Sequence, residues 1–349
     1  MIQISRYLSA ISSGLAILAA LATGAVLLLT VGLNPARVYY ELFSRGMATH
    51  LGITETLIKM APILMVSSGL ILAFRAGLWN IGIEGQFLIG AILVGWAAPT
   101  LIRVLPHGVA LLILGLVGFL GGLLWAVIPA VLKARWGLNE IITTLMMNFV
   151  GLNLTTWLVK GPLRDQTVVP PQTPVIPLQG RLPFVPFTRI HIGLVAGIIC
   201  ILAIYIIIKK TTFGFQLRVL GENRKAAIHS NINVSRVTIL VLLISGGFAG
   251  LAGANDVLGV KGLFQAEWNP GYGFASIPLV CLANFNGLAV IPLSYFFSFL
   301  IVGGELMSRA AGVPIFFVQV IEGLMFLYFA GGEYFRKRKA GIHGASILL

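Results

Sequence analysis

Residues 108–132, GVALLILGLVGFLGGLLWAVIPAVL, run for 25 positions without a charged side chain. A helix of about 20 apolar residues is what crosses the hydrocarbon core of a membrane. Outward from this stretch the pattern repeats. Ten candidate spans follow one another at roughly 10–33, 54–74, 86–105, 108–132, 140–159, 190–208, 237–258, 274–291, 293–309 and 314–331. Tyr7 to Ala36 is uncharged throughout, too long for the core of a signal peptide, and reads as part of a first spanning helix.

Composition agrees. Of 349 residues, 58% are hydrophobic and 10% charged, against roughly 25% charged in an ordinary soluble domain. Mean hydropathy is +0.96. So few charges cannot cover the surface of a soluble fold. The expected class is all-α, a polytopic helix bundle forming a single transmembrane domain over 1–349. The net charge of +13 sits mostly in short gaps between apolar runs, which is how membrane proteins fix orientation and argues against nucleic-acid binding. With the N-terminus in the cytoplasm, the two densest basic clusters, 209–236 and 336–339, fall on the cytoplasmic side. Both termini are expected there. Cys200 and Cys281 lie inside apolar runs and make no disulfide framework or metal spacing.

Two loops exceed simple connections. Residues 160–189 hold seven prolines and read as an extracytoplasmic segment ordered by packing. Residues 209–236 read as a cytoplasmic coupling loop. Within it Gly221, Glu222, Asn223, Ala226 and Ala227 belong to one expected amphipathic helix, 221–229, suited to a groove on a partner. No nucleotide-binding, zinc, nucleophile or dinucleotide motif occurs, and the five histidines stand far apart. Catalytic and metal residues are therefore expected to be absent. If the chain moves solute uphill, the energy enters from elsewhere.

Polar residues inside the apolar framework are the functional candidates. Ala76 to Gln86 contains three glycines with Asn80, Glu84 and Gln86. It is either a broken helix whose polar groups face a passage or pin neighbours, or a glycine-rich loop. In Gly137 to Asn148, Asn139 can cap a helix, and Thr144 and Asn148 share one face. Asn148 either bonds a neighbouring helix or faces a polar path. Asn80, Glu84, Gln86 and Asn148 are the candidates for the translocation pathway. Asp256, Glu305 and Glu322 are carboxylates within or close to spans, where a central charge is costly. Glu305 could pair with Arg309, four residues on. Ser245 to Ala254 carries two pairs of small residues four apart, read as close helix packing.

At these residues the sequence resembles a known family. Asn80 to Gln86, Asn139 to Thr144, Leu220 to Asn223, Ala226-Ala227, Ser245 to Ala254 and Pro270 to Phe274 are similar to signatures of ABC-transporter permeases for nucleosides and simple sugars. The wider group includes ribose-type and branched-chain amino-acid permeases. The resemblance implies a non-catalytic, multi-pass subunit of a bacterial importer in the cell membrane. It implies as partners a second, related permease, ABC ATPases that bind the ATP, and an extracytoplasmic substrate-binding protein, with no cofactor in this chain. It maps the family's coupling segment onto Gly221 to His229. Two departures stand out: Ile277 to Asn286, with Pro278, replaces a small-residue helix and its turn, and Asn231 stands where glycine is common. The alternative is an ion-coupled secondary transporter using Glu322, Glu305 or Asp256. An intramembrane enzyme is disfavoured, because no nucleophile–base or metal pattern appears.

Overall fold

The computed structural model describes residues 2–314 and 316–339. Among them the chain is all α. In order stand α1 (Ile2–Thr30), α2 (Pro35–Met47), α3 (His50–Arg75), α4 (Ile83–Val104), α5 (His107–Trp125), α6 (Val127–Trp136) and α7 (Glu140–Lys160). After the Pro-rich loop come α8 (Gly193–Lys210), α9 (Thr212–Glu222), α10 (Arg224–His229), α11 (Val234–Asp256), α12 (Tyr272–Leu282), α13 (Gly287–Ala311) and α14 (Phe317–Lys339). No strand occurs among the described residues, only isolated bridges at Gln172–Gln265 and Phe184–His191.

Eight helices are long and apolar enough to cross a membrane, counting α5 with α6 as one; α12 and the apolar part of α14 are shorter. The expected spans 274–291 and 293–309 are corrected by this. The break falls at 283–286. Asn284 and Phe285 both take left-handed backbone, which ends α12, and the Asn286 side chain then caps α13 by accepting from the Leu288 N–H. The 11 residues of α12 rise only about 16 Å, well short of a membrane's hydrocarbon core. A helix also fills the stretch 35–47, which the hydropathy reading passed over. Asn34 caps it and Pro35 occupies its first turn.

The chain divides into two compact units, Ala61–Ser276 and Met1–Met60 with Ile277–Leu349. In the first, α4, α5 and α11 pack through glycine. A Cβ on Gly250 would lie 2.8 Å from the Gly122 Cα, and one on Gly246 would lie 2.6 Å from the Gly122 carbonyl oxygen. The Ser245–Ala254 stretch is thus half of a reciprocal arrangement whose other half is Gly118 and Gly122 of α5. In the second unit, α1 packs on α14 and α2 on α13. There Thr23 and the Tyr328 hydroxyl bond at 2.6 Å. Glu305 pairs with Lys59, not with Arg309 as the four-residue spacing suggested.

The Pro-rich loop is held by backbone bonds to the segment after α11. The Thr173 N–H donates to the Phe264 carbonyl at 2.9 Å and the Ile176 N–H to the Gly262 carbonyl at 2.7 Å. The Thr173 hydroxyl takes the Phe264 N–H. On its exposed flank, hydrogen bonds from Thr167 hold the Asp165 carboxyl below its ordinary range, and Lys160 does the same for Glu267.

Candidate functional site

The site grows from the break between α3 and α4. Helix α3 ends at Arg75 and is closed by Gly77, whose positive φ lets the Leu78 N–H reach back to the Ala73 carbonyl at 2.9 Å while the Gly77 N–H donates to the Phe74 carbonyl. The chain then runs non-helically to Gly82, and α4 begins at Ile83. Backbone freed from helical bonding needs other partners, and most acutely in lipid.

Side chains supply them. Asn80 is fully buried, and its carboxamide pairs head to tail with that of Gln86, at 2.9 and 3.2 Å. Its Nδ2 also donates to Ser245 Oγ on α11 at 2.9 Å, and its Oδ1 accepts from the Gly82 N–H. Asn148 on α7 donates to the Ile81 carbonyl at 2.6 Å and accepts from the Gly85 N–H at 2.9 Å. One turn away, Thr144 accepts from the Ile81 N–H at 3.2 Å. Glu84 Oε1 accepts from the Phe274 N–H at 2.9 Å, placing a carboxyl at the first turn of α12. Asn80, Gln86 and Asn148 therefore tie the break to α11 and α7, while Glu84 separately ties the first turn of α4 to the start of α12. Asn139 caps α7 through the Ile141 N–H, and Lys133 bonds Glu140 at 2.6 Å, closing the α6–α7 turn.

The expected single helix at 221–229 is two pieces. Gly221 and Glu222 finish α9. Asn223 breaks it, and its side chain caps α10 by accepting from the Lys225 and Ala226 N–H groups at 2.9 and 3.1 Å. An asparagine competes with the backbone for hydrogen bonds, so it ends one helix and starts the next. Ala227 is buried, whereas Ile228 is 58% exposed. Asn231 accounts for its departure from glycine: at φ +57 it takes the left-handed position that closes α10, with the Ile232 N–H bonded to the Ala227 carbonyl at 3.0 Å.

Sequence reasoning missed one contact. Gly221 lies directly on the end of α3: a Cβ there would strike the Arg75 carbonyl oxygen and stand 3.2 Å from the Gly77 nitrogen. The α9–α10 elbow thus touches the broken helix itself. A lone glycine gives no signal of its neighbour. Of the other candidates, Asp256 is buried with the Tyr272 hydroxyl at 3.5 Å, and Glu322 is buried on α14. No cluster of three metal-ligating residues occurs among the described residues; His343 lies outside them.

Comparison with known proteins supplies what geometry alone does not. The sequence pattern of the family described as the permease component of branched-chain amino acid transport systems matches residues 52–330. The chain is 34% identical to a glucose ABC transporter permease protein of Haloferax volcanii, over 94% of this chain and 89% of the relative. It is 32% identical to a guanosine ABC transporter permease protein of Bacillus subtilis, over 92% and 93%. A nucleoside ABC transporter permease protein of Lactococcus lactis is 28% identical, over 88% and 86%.

Proposed function

The chain belongs to the family of permease components of branched-chain amino acid transport systems, and from that premise we propose that it is the membrane-spanning permease subunit of an ATP-driven importer for nucleosides or simple sugars. Similarity running nearly end to end with ABC permeases is the observation that carries this reading. The subunit is not itself an ATPase; hydrolysis belongs to a separate chain, and ATP is bound there. The expected assembly adds a second, related permease, ABC ATPases and an extracytoplasmic substrate-binding protein.

In this reading residues 209–236 face the cytosol and the loop 160–189 faces outward, with both termini cytosolic and the cell membrane as the location. That orientation needs α12 to complete its short crossing through the turn at 283–286. The α9–α10 elbow receives the ATPase. Its movement passes through Gly221 to the end of α3, and so to the break held by Asn80 and Asn148. These residues and Glu84 and Gln86 stand behind the passage, keeping the broken helix in one piece while it moves. Coupling of this kind works in both directions: solute arriving outside must favour the state in which the ATPases close.

The exposed face of α10 offers the cleanest test. Ile228→Asp places a charge where a partner would dock without burying it in the permease. The assembled importer in vesicles should lose ATP-driven uptake of guanosine or glucose while the permease still inserts and pairs. Full uptake by that variant refutes the assignment of the elbow.

A further inference from the structure

The chain passes between its two compact units twice, from Met60 to Ala61 and from Ser276 to Ile277. Neither passage is a loop. The first lies inside α3 and the second inside α12. Each helix carries an internal proline within two residues of the passage, Pro62 in α3 and Pro278 in α12. Proline has no N–H for the carbonyl four residues back, and its ring crowds that carbonyl. The Ile58 and Phe274 carbonyls therefore lack their helical donors, and each helix bends most easily at that point.

Both helices are gripped on either side of the proline, by a different unit on each side. Before Pro62, Lys59 pairs with Glu305 of α13, within the second unit. After it, α3 lies against α8 and α11 of the first unit. A Cβ on Gly197 would stand 2.9 Å from the Ala61 carbonyl oxygen, and one on Gly69 2.6 Å from that of Ser245. In α12 the order is reversed. Ahead of Pro278, Glu84 holds the Phe274 N–H and the Tyr272 ring meets Phe87 edge to face, both within the first unit. Beyond it, the Ser13 hydroxyl of α1 donates to the Leu282 carbonyl at 2.9 Å, within the second. Other prolines inside helices differ: Pro99 of α4 and Pro292 of α13 each lie wholly within one unit.

A helix clamped at both ends, with a helical bond missing between the clamps, is built to bend there. We propose that Pro62 and Pro278 are paired hinges about which the two units turn during the transport cycle. The proposal rests on the transport reading above and deepens it. The elbow presses on the end of α3 through Gly221, and Pro62 lies on that same helix between the point of pressure and the part held by the second unit. Motion started at the elbow then turns the first unit at Pro62, and α12 must give at Pro278 because the chain crosses back there.

Spin-label distances and solute uptake test this on the complete importer in vesicles, with Cys200→Ala throughout; Cys281 is buried. Labels at exposed Val31 and Val169 sit on different units, and labels at Val169 and exposed Trp136 both sit on the first. With both prolines intact, ATP plus orthovanadate should shift the Val31–Val169 distance and leave the Val169–Trp136 distance in place. An unmoved cross-unit pair, or equal shifts in both pairs, overturns the proposal independently of how any hinge variant folds. Pro62→Ala with Pro278→Ala restores two helical hydrogen bonds that bending must then break. That double variant should lower kcat for guanosine or glucose uptake about tenfold and abolish the cross-unit shift. Glycine at both positions, which bends freely, should recover most of the rate. Pro99→Ala with Pro292→Ala should stay within about twofold of the wild type. Unchanged uptake and an unchanged label shift in the Pro62 and Pro278 alanine variant overturn the hinges. A cross-unit shift without uptake of either solute would instead refute the solute class of the transport reading and support the hinges.

Discussion

Replacing Asn148 by leucine probes the broken helix at its most exposed point of dependence. The two side chains are similar in length, so the change removes bonds more than volume. It deletes the 2.6 Å bond to the Ile81 carbonyl and the 2.9 Å bond from the Gly85 N–H. Gly85 lies in the first turn of α4, where no carbonyl of its own helix can take its N–H. Two orphaned backbone groups would cost about 2–6 kcal/mol on soluble-protein values. Single side-chain bonds between membrane helices measure lower, up to about 1.7 kcal/mol, because the unfolded state in lipid finds other partners. The expected loss is therefore about 2–3 kcal/mol. Asn153→Leu is the control on the same helix: that residue is exposed and bonds only the Phe149 carbonyl, one turn back. Its loss should stay within about 0.5 kcal/mol. Reversible unfolding of the purified permease in mixed micelles would measure both. Equal stabilities would refute the claim that α7 side chains replace the missing helical bonds of the break.

Other outcomes follow from the same geometry. Gly250→Val forces a side chain against the Gly122 backbone and should cost about 1–3 kcal/mol of stability in the same assay, whereas Gly331→Val, with open space around it, should cost little. Gly221→Val should leave membrane insertion intact and abolish stimulation of the ATPases by substrate, read as phosphate release with and without loaded binding protein. The pH dependence at His191 has a definite sign. Its folded pKa of about 4 lies below the ordinary 6.5, so the unfolded state binds the extra proton between those values. Stability should fall as pH drops from about 6.5 toward 4, and His191→Gln should flatten that slope in a thermal-unfolding series.

Much of the bundle was legible because lipid leaves few options. An uncharged run of 25 residues can only be a span, and Asn139 before Glu140 announced the start of α7. The misreadings share one cause: short polar breaks inside apolar runs barely change hydropathy. Asn284 and Phe285 end α12 by backbone conformation, so an averaging window slid past them to Pro292. Asn223 looked like the opening of a helix because it caps one, and the helix it ends was invisible from composition. At the site, sequence showed that Asn80, Glu84, Gln86 and Asn148 were costly to bury. Most of their partners lie far away in sequence, such as Ser245 for Asn80 and the Phe274 N–H for Glu84, 190 positions on, and no local pattern encodes those. The Lys59–Glu305 pair shows the same limit: the nearer cation in sequence, Arg309, lost to one 246 residues distant.

In the function proposed above, this chain is a conduit whose work is done by ATP hydrolysis on a partner. Vesicles containing the permeases and ATPases, with binding protein outside and ATP inside, should accumulate guanosine or glucose with proton and sodium gradients collapsed. The same vesicles with gradients imposed and no ATP should accumulate none. Gradient-driven accumulation without ATP, or ATP that leaves uptake unchanged, would contradict the account.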